Sequence, residues 1–193
     1  MSKTKKIVGV ALASVLMSGA LVYYNFIDKA PSAGMGEGNV CIDFTLETYG
    51  SSSGDFALDG NKATLGDQIG RVCVLNFWET WCQACVEELP EFNRVQEEYG
   101  DKVQIYAIAG VTSTKEEIDT YLDNKGWSKW DKEHDWADFS LTFAYMPYDT
   151  CLEMGYGGIL PRTIIIDKSG LIVYEDDGKL SYEKLKGLID SVL

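Results

Sequence analysis

The pattern of hydrophobic and polar positions predicts alternating strands and helices through the middle of the chain. Val72–Phe77 is a nearly continuous apolar run, typical of a strand that is covered on both faces of its sheet. Positions 85, 88, 89, 92, 96 and 99 then recur on one face at helical spacing and predict an amphipathic helix. The next apolar run, Val103–Ala109, predicts a second strand, and Thr114–Glu117 has the spacing of a capping box that begins another helix. This order predicts parallel strands joined by right-handed connections.

Further strand and helix patterns frame this region. Alternation in Cys41–Glu47 and Phe56–Leu65, separated by a Gly/Ser-rich turn, predicts a β-hairpin before the core. Near the C-terminus, the β-branched run Thr163–Ile166 predicts a strand, and Lys168–Gly170 predicts a tight turn into the next one. Ser181 is a predicted N-cap of the last helix.

The N-terminus has the pattern of a membrane anchor. Lysines at positions 3, 5 and 6 precede a stretch without charge from Ile7 to Ile27, which is long enough to span a bilayer at ~20 residues. A cleaved signal peptide is the alternative, but its apolar region is usually ~7–15 residues and no clear small-x-small site follows. We therefore expect a single-pass protein of the cell membrane, with the lysines cytoplasmic and the remainder extracytoplasmic.

Composition adds the division into domains. We expect residues 1–27 to form the N-terminal membrane anchor, 28–40 a flexible linker rich in Gly, Ser and Pro, and 41–193 the folded domain, with an aromatic-rich insertion at about 126–148. The formal net charge of −13 makes the protein acidic. Such a surface disfavours binding to nucleic acid and favours solubility or basic partners.

Two cysteines lie where the strand Val72–Phe77 passes into the following helix, in the sequence Trp81-Cys-Gln-Ala-Cys85. Backbone N–H groups without partners and the positive end of the helix dipole stabilise a thiolate in a first helical turn. The pKa of a thiol, ~8.5, can fall to roughly 3.5–7.5 in such a place, so Cys82 is expected to be a nucleophile at neutral pH. Cys85, one turn along, is expected to attack a mixed disulfide formed at Cys82 and release the partner.

A Cys-x-x-Cys pair also occurs as half of a zinc site or as two buried structural thiols. A zinc site needs four ligands, usually with a second Cys or His pair at similar spacing. The chain has no second such pair, and its single histidine, His134, is about fifty residues away. The pattern therefore favours redox chemistry and predicts no metal site.

The segment Leu75–Phe92, LNFWETWCQACVEELPEF, resembles the thioredoxin-fold family. It is most similar to the membrane-anchored, extracytoplasmic thiol-disulfide oxidoreductases of the TlpA/ResA type, within the AhpC/TSA-redoxin superfamily. The resemblance covers roughly Cys41–Leu193 and is most specific at the two cysteines, at Pro90 and at GILPRTIIID, residues 158–167. It implies an α/β, thioredoxin-like fold: a central mixed sheet flanked by helices, with an N-terminal β-hairpin extension and a transmembrane helix.

The resemblance also implies site residues. It assigns Cys82 the attack and Cys85 the resolution, and it implies a cis bond between Leu160 and Pro161 facing the cysteines. That geometry would leave the Leu160 backbone free to pair with an extended substrate segment. Trp81 is expected to shield Cys82 at the substrate-binding side, with a pure packing role as the alternative.

A proton-transfer group is expected at Glu88. Thioredoxin has a buried aspartate where this chain has Asn76, and an amide does not titrate. Glu88 falls on the apolar face of the predicted helix one turn after Cys85, where desolvation would raise its pKa. A glutamate at this spacing is implicated in activity in ResA-type members; an ordinary surface glutamate is the alternative.

The family implies the partners and the direction of the reaction. We expect no bound cofactor, because the Cys82–Cys85 dithiol itself carries two electrons. The expected substrates are protein disulfides or dithiols, with reduction favoured and apocytochrome c among them, and the expected electron donor is a membrane-embedded thiol. Two alternatives remain: a thiol peroxidase of the AhpC/TSA type, and a copper carrier using both cysteines with His134 or a methionine.

Three cysteines remain outside the motif. Cys73 lies in a predicted strand and is expected to be a buried, inert thiol. Cys41 and Cys151 either pair with each other, or Cys151 is accessible near the site, since sequence does not give connectivity. The aromatic residues at about 126–148 either form a docking groove or pack the insertion onto the core.

Overall fold

A computed structural model describes residues 33–51, 56–123 and 135–193, which contain a single seven-stranded sheet. Its strands are β1 Thr45–Ser51, β2 Phe56–Thr64, β3 Val72–Phe77, β4 Val103–Ala109, β5 Thr142–Tyr145, β6 Arg162–Ile166 and β7 Ile172–Asp177. They lie in the order β2-β1-β5-β4-β3-β6-β7. The predicted strands at 72–77 and 103–109 are confirmed at both ends.

The described helices are α1 Gln83–Tyr99, α2 Lys115–Asp123, α3 Tyr148–Glu153 and α4 Tyr182–Asp190. Side chains from α1, α2 and α4 pack into one hydrophobic cluster, whereas Cys151 of α3 belongs to a second cluster that contains Cys41 and Phe44. Ser181 caps α4 as predicted, because its hydroxyl oxygen accepts a hydrogen bond from the Lys184 N–H. The predicted α/β fold, a mixed sheet flanked by helices, is confirmed.

Strand pairing explains why the sheet is mixed. β3, β4 and β5 are parallel neighbours, whereas β6 is antiparallel to both β3 and β7. The predicted hairpin forms between β1 and β2, and it is part of the main sheet because β1 also pairs with β5. The hairpin thus adds β1 and β2 to the sheet beyond β5, so that β2 is an outermost strand.

The central strand β3 is buried along its whole length. Val72 and Val74 pack into the cluster beneath α1, whereas Cys73, Leu75 and Phe77 pack into the other one. Alternate side chains of a strand point to opposite faces of its sheet, so a strand covered on both sides must be apolar at nearly every position.

The residues before β1 are hydrogen-bonded to the domain. The Gly38 N–H donates to the Ile172 carbonyl (2.9 Å) and the Cys41 N–H to the Gly170 carbonyl (2.8 Å). Residues 33–40, predicted as part of a flexible linker, therefore lie against β7. Within the described ranges no helix is long and apolar enough to cross a bilayer, and the predicted span Ile7–Ile27 lies outside those ranges.

The remaining cysteines and aromatic residues are mostly core. Cys41, Cys73 and Cys151 are free thiols and buried, so the alternative of a Cys41–Cys151 disulfide is wrong. Burial raises the pKa of Cys41 to about 11 and that of Cys151 to about 12. Trp136 is fully buried against neighbouring rings, as packing of the insertion requires. Residues 126–134 of that insertion lie outside the described ranges.

Candidate active site

The candidate site lies at the edge of the sheet formed by the carboxyl ends of β3 and β4. Three segments of the chain emerge there together. β3 ends at Phe77, which is paired with Arg162, the first residue of the antiparallel strand β6. Parallel β4 ends at Ala109, so the loop 110–114 leaves the sheet at the same edge. The carboxyl ends of parallel strands are a common place for binding sites in α/β proteins.

A disulfide joins Cys82 and Cys85 at this edge. Cys82 is the N-cap of α1, and its sulfur accepts a hydrogen bond from the Cys85 N–H at 3.3 Å. The predicted position at the start of the helix is therefore confirmed. Cys82 retains 7% exposure and Cys85 none, so the sulfur of Cys82 is the one that a partner can reach.

The segment before β6 contains a cis Leu160–Pro161 peptide bond, as the resemblance implied. Leu160 is half-buried and touches both hydrophobic clusters, which fixes its side chain. Its backbone makes no hydrogen bond within the described part of the chain. The Leu160 N–H and carbonyl are therefore open to another polypeptide segment.

Trp81 lies on the surface beside the disulfide. The residue is 58% exposed, and its indole N–H donates to the hydroxyl oxygen of Thr112 at 2.8 Å. A residue this exposed is not part of the hydrophobic core, so the Trp81 side chain is accessible beside Cys82.

Glu88 is completely buried one helical turn after Cys85. Its carboxylate accepts hydrogen bonds from the Asn76 side-chain amide (2.8 Å) and from the Leu180 N–H (2.9 Å). Burial raises the pKa of Glu88 to about 7, although both hydrogen bonds and Lys179 oppose that rise. The surface-glutamate alternative is therefore wrong, and the Asn76 amide is a hydrogen-bond donor within the core.

The raised pKa makes stability depend on pH. The unfolded carboxyl titrates near 4.5 and the folded one near 7, so the folded chain binds more protons between these values. Stability of the oxidised protein therefore falls as pH rises through this window and levels off above it. Glu88→Gln is expected to remove this pH dependence of stability. Between pH 4.5 and pH 8 the free energy of unfolding of the variant is therefore expected to rise by up to roughly 3 kcal/mol relative to that of the wild type.

Urea unfolding of the oxidised protein across this pH range measures that difference. Glu87→Gln is the matched control, since its exposed neighbouring carboxylate pairs with Lys179 and its pKa is lowered. An identical pH slope in wild type and Glu88→Gln would contradict the assignment.

Glu79 is a site residue that sequence reasoning missed. Its carboxylate is fully buried and accepts hydrogen bonds from the backbone N–H groups of the loop after β4 and from the hydroxyl of Ser113. Those N–H donors are Gly110 (3.3 Å), Thr112 (2.8 Å) and Ser113 (3.4 Å). The Glu79 carbonyl also accepts from the Cys82 N–H at 3.0 Å. The only sequence signal was an acidic residue two positions after a continuous buried strand.

Glu79→Ala is expected to lower the free energy of unfolding by about 3 kcal/mol, because buried donors lose their acceptor. Chemical denaturation followed by tryptophan fluorescence measures the loss. Glu116→Ala, an exposed position on the neighbouring helix α2, is the control and is expected to change stability by less than about 0.5 kcal/mol. Equal losses in the two variants would show that Glu79 does not hold the loop.

The loop held by Glu79 forms one wall of a shallow cleft of about 420 Å³. Residues 110–116 line it together with Tyr145 and Tyr148. Thr112, which binds the Trp81 ring, belongs to this lining, so the cleft opens beside Trp81.

Metal ligands were part of the copper alternative. In residues 33–51, 56–123 and 135–193, no group of three or more His, Cys, Asp or Glu side chains is placed to hold a metal ion. His134, one of the ligands that the copper carrier would use, lies outside these ranges.

Residues 38–175 match the model of the AhpC/TSA family. The chain is 28% identical over 186 residues to the thioredoxin-like protein YneN of Bacillus subtilis, covering 90% of this chain and 89% of YneN. It is 27% identical over 197 residues to the thiol-disulfide oxidoreductase ResA of Geobacillus thermodenitrificans, covering 100% of this chain and 99% of ResA.

A solved structure shares the fold. A putative thiol-disulfide oxidoreductase from Bacteroides vulgatus superimposes with a TM-score of 0.60 at 28% identity, covering 82% of this chain and 97% of that one. The family match spans most of the domain and includes the Cys82–Cys85 disulfide. The chain therefore belongs to the AhpC/TSA family and is a thiol-disulfide oxidoreductase with a thioredoxin-like fold.

Proposed function

We propose that this oxidoreductase reduces disulfides of partner proteins on the outer side of the cell membrane. The observation that carries the proposal is the arrangement of the disulfide. Cys82 is the outer sulfur at the N-terminus of α1, Cys85 is fully buried, and the buried carboxyl of Glu88 lies one turn deeper. This arrangement separates attack, resolution and proton transfer among three residues.

The reaction starts from the reduced dithiol. The Cys82 thiolate attacks one sulfur of the partner disulfide, a new S–S bond forms, and the partner's other sulfur leaves as a thiolate. Cys85 then attacks the Cys82 sulfur, which restores the Cys82–Cys85 disulfide and releases the partner's second thiolate. Two electrons pass from this protein to its partner, and the dithiol needs no bound cofactor.

Glu88 supports the second step as the proton acceptor of Cys85. With a pKa raised to about 7, its carboxyl is present in both forms near neutral pH. A group poised in this way takes the thiol proton in one direction and returns it in the other. The hydrogen bonds from Asn76 and Leu180 hold the carboxylate in place between turnovers.

Protein substrates suit the surface around the disulfide. The free backbone of Leu160, next to the cis bond, is open for pairing with an extended segment, and the exposed Trp81 ring offers apolar contact. Apocytochrome c, the substrate implied by the resemblance to TlpA/ResA-type proteins, is the first natural partner to test.

The membrane location rests on the charge pattern of the N-terminus. In this proposal Ile7–Ile27 spans the bilayer, the three lysines before it stay in the cytoplasm, and a membrane-embedded thiol protein returns the disulfide to the dithiol. Labelling of intact cells with a membrane-impermeant maleimide, after mild reduction, tests the orientation. Modification of Cys82 only after cell lysis would contradict it.

The midpoint potential of the Cys82–Cys85 couple tests the direction. We expect the full chain in detergent, titrated in thiol/disulfide buffers, to have a potential of roughly −250 mV or below. A value near about −120 mV would make the protein a disulfide donor instead. Rapid peroxide consumption that depends on Cys82 alone would favour the thiol peroxidase alternative.

A further inference from the structure

Large apolar side chains are exposed at the end of the sheet where the disulfide lies. Within the described residues seven large hydrophobic side chains are exposed, and four of them come from segments at this edge of the sheet. These four are Trp81, Tyr148, Leu152 and Ile159. Single exposed apolar residues are normal, whereas several on one surface mark an interaction site.

Contacts connect most of these side chains into one surface. The Trp81 indole is hydrogen-bonded to Thr112, and Thr112 and Tyr148 line the same cleft. Tyr148 and Leu152 are four residues apart on α3, so they share one face of that helix. The surface thus runs from the residue before Cys82, across the cleft, onto α3.

The charges on this surface are acidic. Asp149 and Glu153 lie beside the two apolar residues of α3, and Glu116 lines the cleft. All three are exposed, and none forms an ion pair with another described residue. Their carboxylates are therefore available to a partner.

Two cations at this end of the sheet are already paired. Lys115 lies 2.5 Å from a carboxylate oxygen of Glu47. Arg162 binds Glu175 at 3.0 Å and Asp177 at 2.9 Å. Among the described residues of α3 and of the cleft lining, the unpaired charge is consequently negative, in keeping with the net charge of −13 for the chain.

The surface is also held in a fixed shape. Glu79 binds three backbone N–H groups of the loop 110–113, and Thr112 of that loop binds the Trp81 ring. A surface that is ordered before binding loses less conformational entropy when a partner docks.

We propose that this surface docks an extended protein segment in which lysines or arginines flank the reacting cysteine. The inference rests on the proposed function, since it names the substrates that the disulfide site selects. The apolar side chains of the surface contact the docked segment near its cysteine, and the carboxylates of the surface attract the lysines or arginines that flank that cysteine. We call it the acidic docking surface, and its residues are Trp81, Glu116, Tyr148, Asp149, Leu152 and Glu153.

Two peptides test the preference for basic segments. Both carry one cysteine as a mixed disulfide with thionitrobenzoate, and they differ only in the flanking residues, two lysines or two glutamates on each side. The reduced Cys82 thiolate attacks the peptide sulfur, and thionitrobenzoate leaves as a coloured anion. At about 20 mM salt we expect the lysine peptide to react roughly tenfold faster, and at about 0.5 M salt less than about twofold faster.

Charge reversals show whether the preference comes from this surface. In Asp149→Lys/Glu153→Lys we expect the low-salt ratio to fall below about twofold. Asp101→Lys/Asp138→Lys is the matched control, because it changes the net charge by the same amount. Asp101 precedes β4 and Asp138 precedes β5, so both lie at the opposite end of these strands. The control variant is expected to keep most of the preference. Glu116→Lys, on α2, repeats the test independently of α3 and is expected to lower the ratio by about half.

The outcomes separate this inference from the proposed function. A wild-type ratio below about twofold at low salt, or equal ratios in the surface and control variants, would overturn the acidic docking surface while leaving disulfide exchange intact. Absence of reaction with both peptides, or an equal rate in Cys82→Ser, would instead overturn the proposed function.

Discussion

Replacing Cys82 by serine is expected to abolish disulfide exchange, whereas replacing Cys85 by serine is expected to arrest the reaction at a mixed disulfide. The physical reason is the unequal burial of the two sulfurs. Cys82 lies at the N-terminus of α1 and is the sulfur that a partner reaches, whereas Cys85 is fully enclosed. Without Cys82 no thiolate meets the partner, and without Cys85 nothing releases it.

Thiol quenching followed by non-reducing electrophoresis measures both results. Turnover of a protein substrate that contains a disulfide should fall to the rate without enzyme in Cys82→Ser, and a covalent adduct with the substrate should accumulate in Cys85→Ser. Cys73→Ser is the matched control, because its thiol is also buried but lies in the middle of the sheet, and it is expected to keep full turnover. An adduct formed through Cys85 in the Cys82→Ser variant would reverse the assigned roles.

Gly110→Ala is expected to lower the free energy of unfolding by about 3–5 kcal/mol, a large part of the stability of a typical domain. Gly110 follows β4 with a φ of +120°, a conformation that residues with a side chain rarely adopt. A Cβ at this position would lie 2.2 Å from the Met146 carbonyl oxygen and 2.8 Å from the Tyr145 ring. Met146 is tied by its N–H to the Ala109 carbonyl at 2.9 Å, so the backbone has little room to move apart.

Gly70→Ala provides the comparison for this prediction. Gly70 also has a positive φ, +99°, but no atom lies within 4 Å of its added Cβ, so only the backbone strain of about 1–2 kcal/mol is expected. Chemical denaturation of both variants separates strain from steric overlap. Equal losses of stability in the two variants would contradict the prediction. They would mean that the backbone at Met146 moves away from the added Cβ at little energetic cost.

Local patterns determined most of the elements and the redox pair. The apolar run Val72–Phe77 predicted β3 because both faces of that strand are covered, and this depends on its own residues. The Cys82–Cys85 spacing at a strand-to-helix junction predicted a helix-capped disulfide for a similar reason. Helical periodicity placed Glu88 on the buried face, and the raised pKa follows from that burial.

Family resemblance supplied what local pattern did not. From its residues alone, the segment before β6 gave no reason to expect a cis bond, which is uncommon even before proline. The match at GILPRTIIID carried that expectation, and the Leu160–Pro161 bond is cis. The resemblance predicted neither the loop bound by Glu79 nor the helix α3.

The tertiary structure alone decided which distant groups meet. Nothing near Glu79 in sequence shows that its carboxylate accepts N–H groups from residues more than thirty positions later. The same holds for the pairing of β1 with β5 and for the join between the Trp81 ring and the cleft. Periodicity records how each segment divides its side chains between core and solvent, because burial is set by hydrophobicity residue by residue. Which groups meet at the ends of the strands depends on the pairing and register of strands that are far apart in the chain. The pattern within a single segment contains no information about that register.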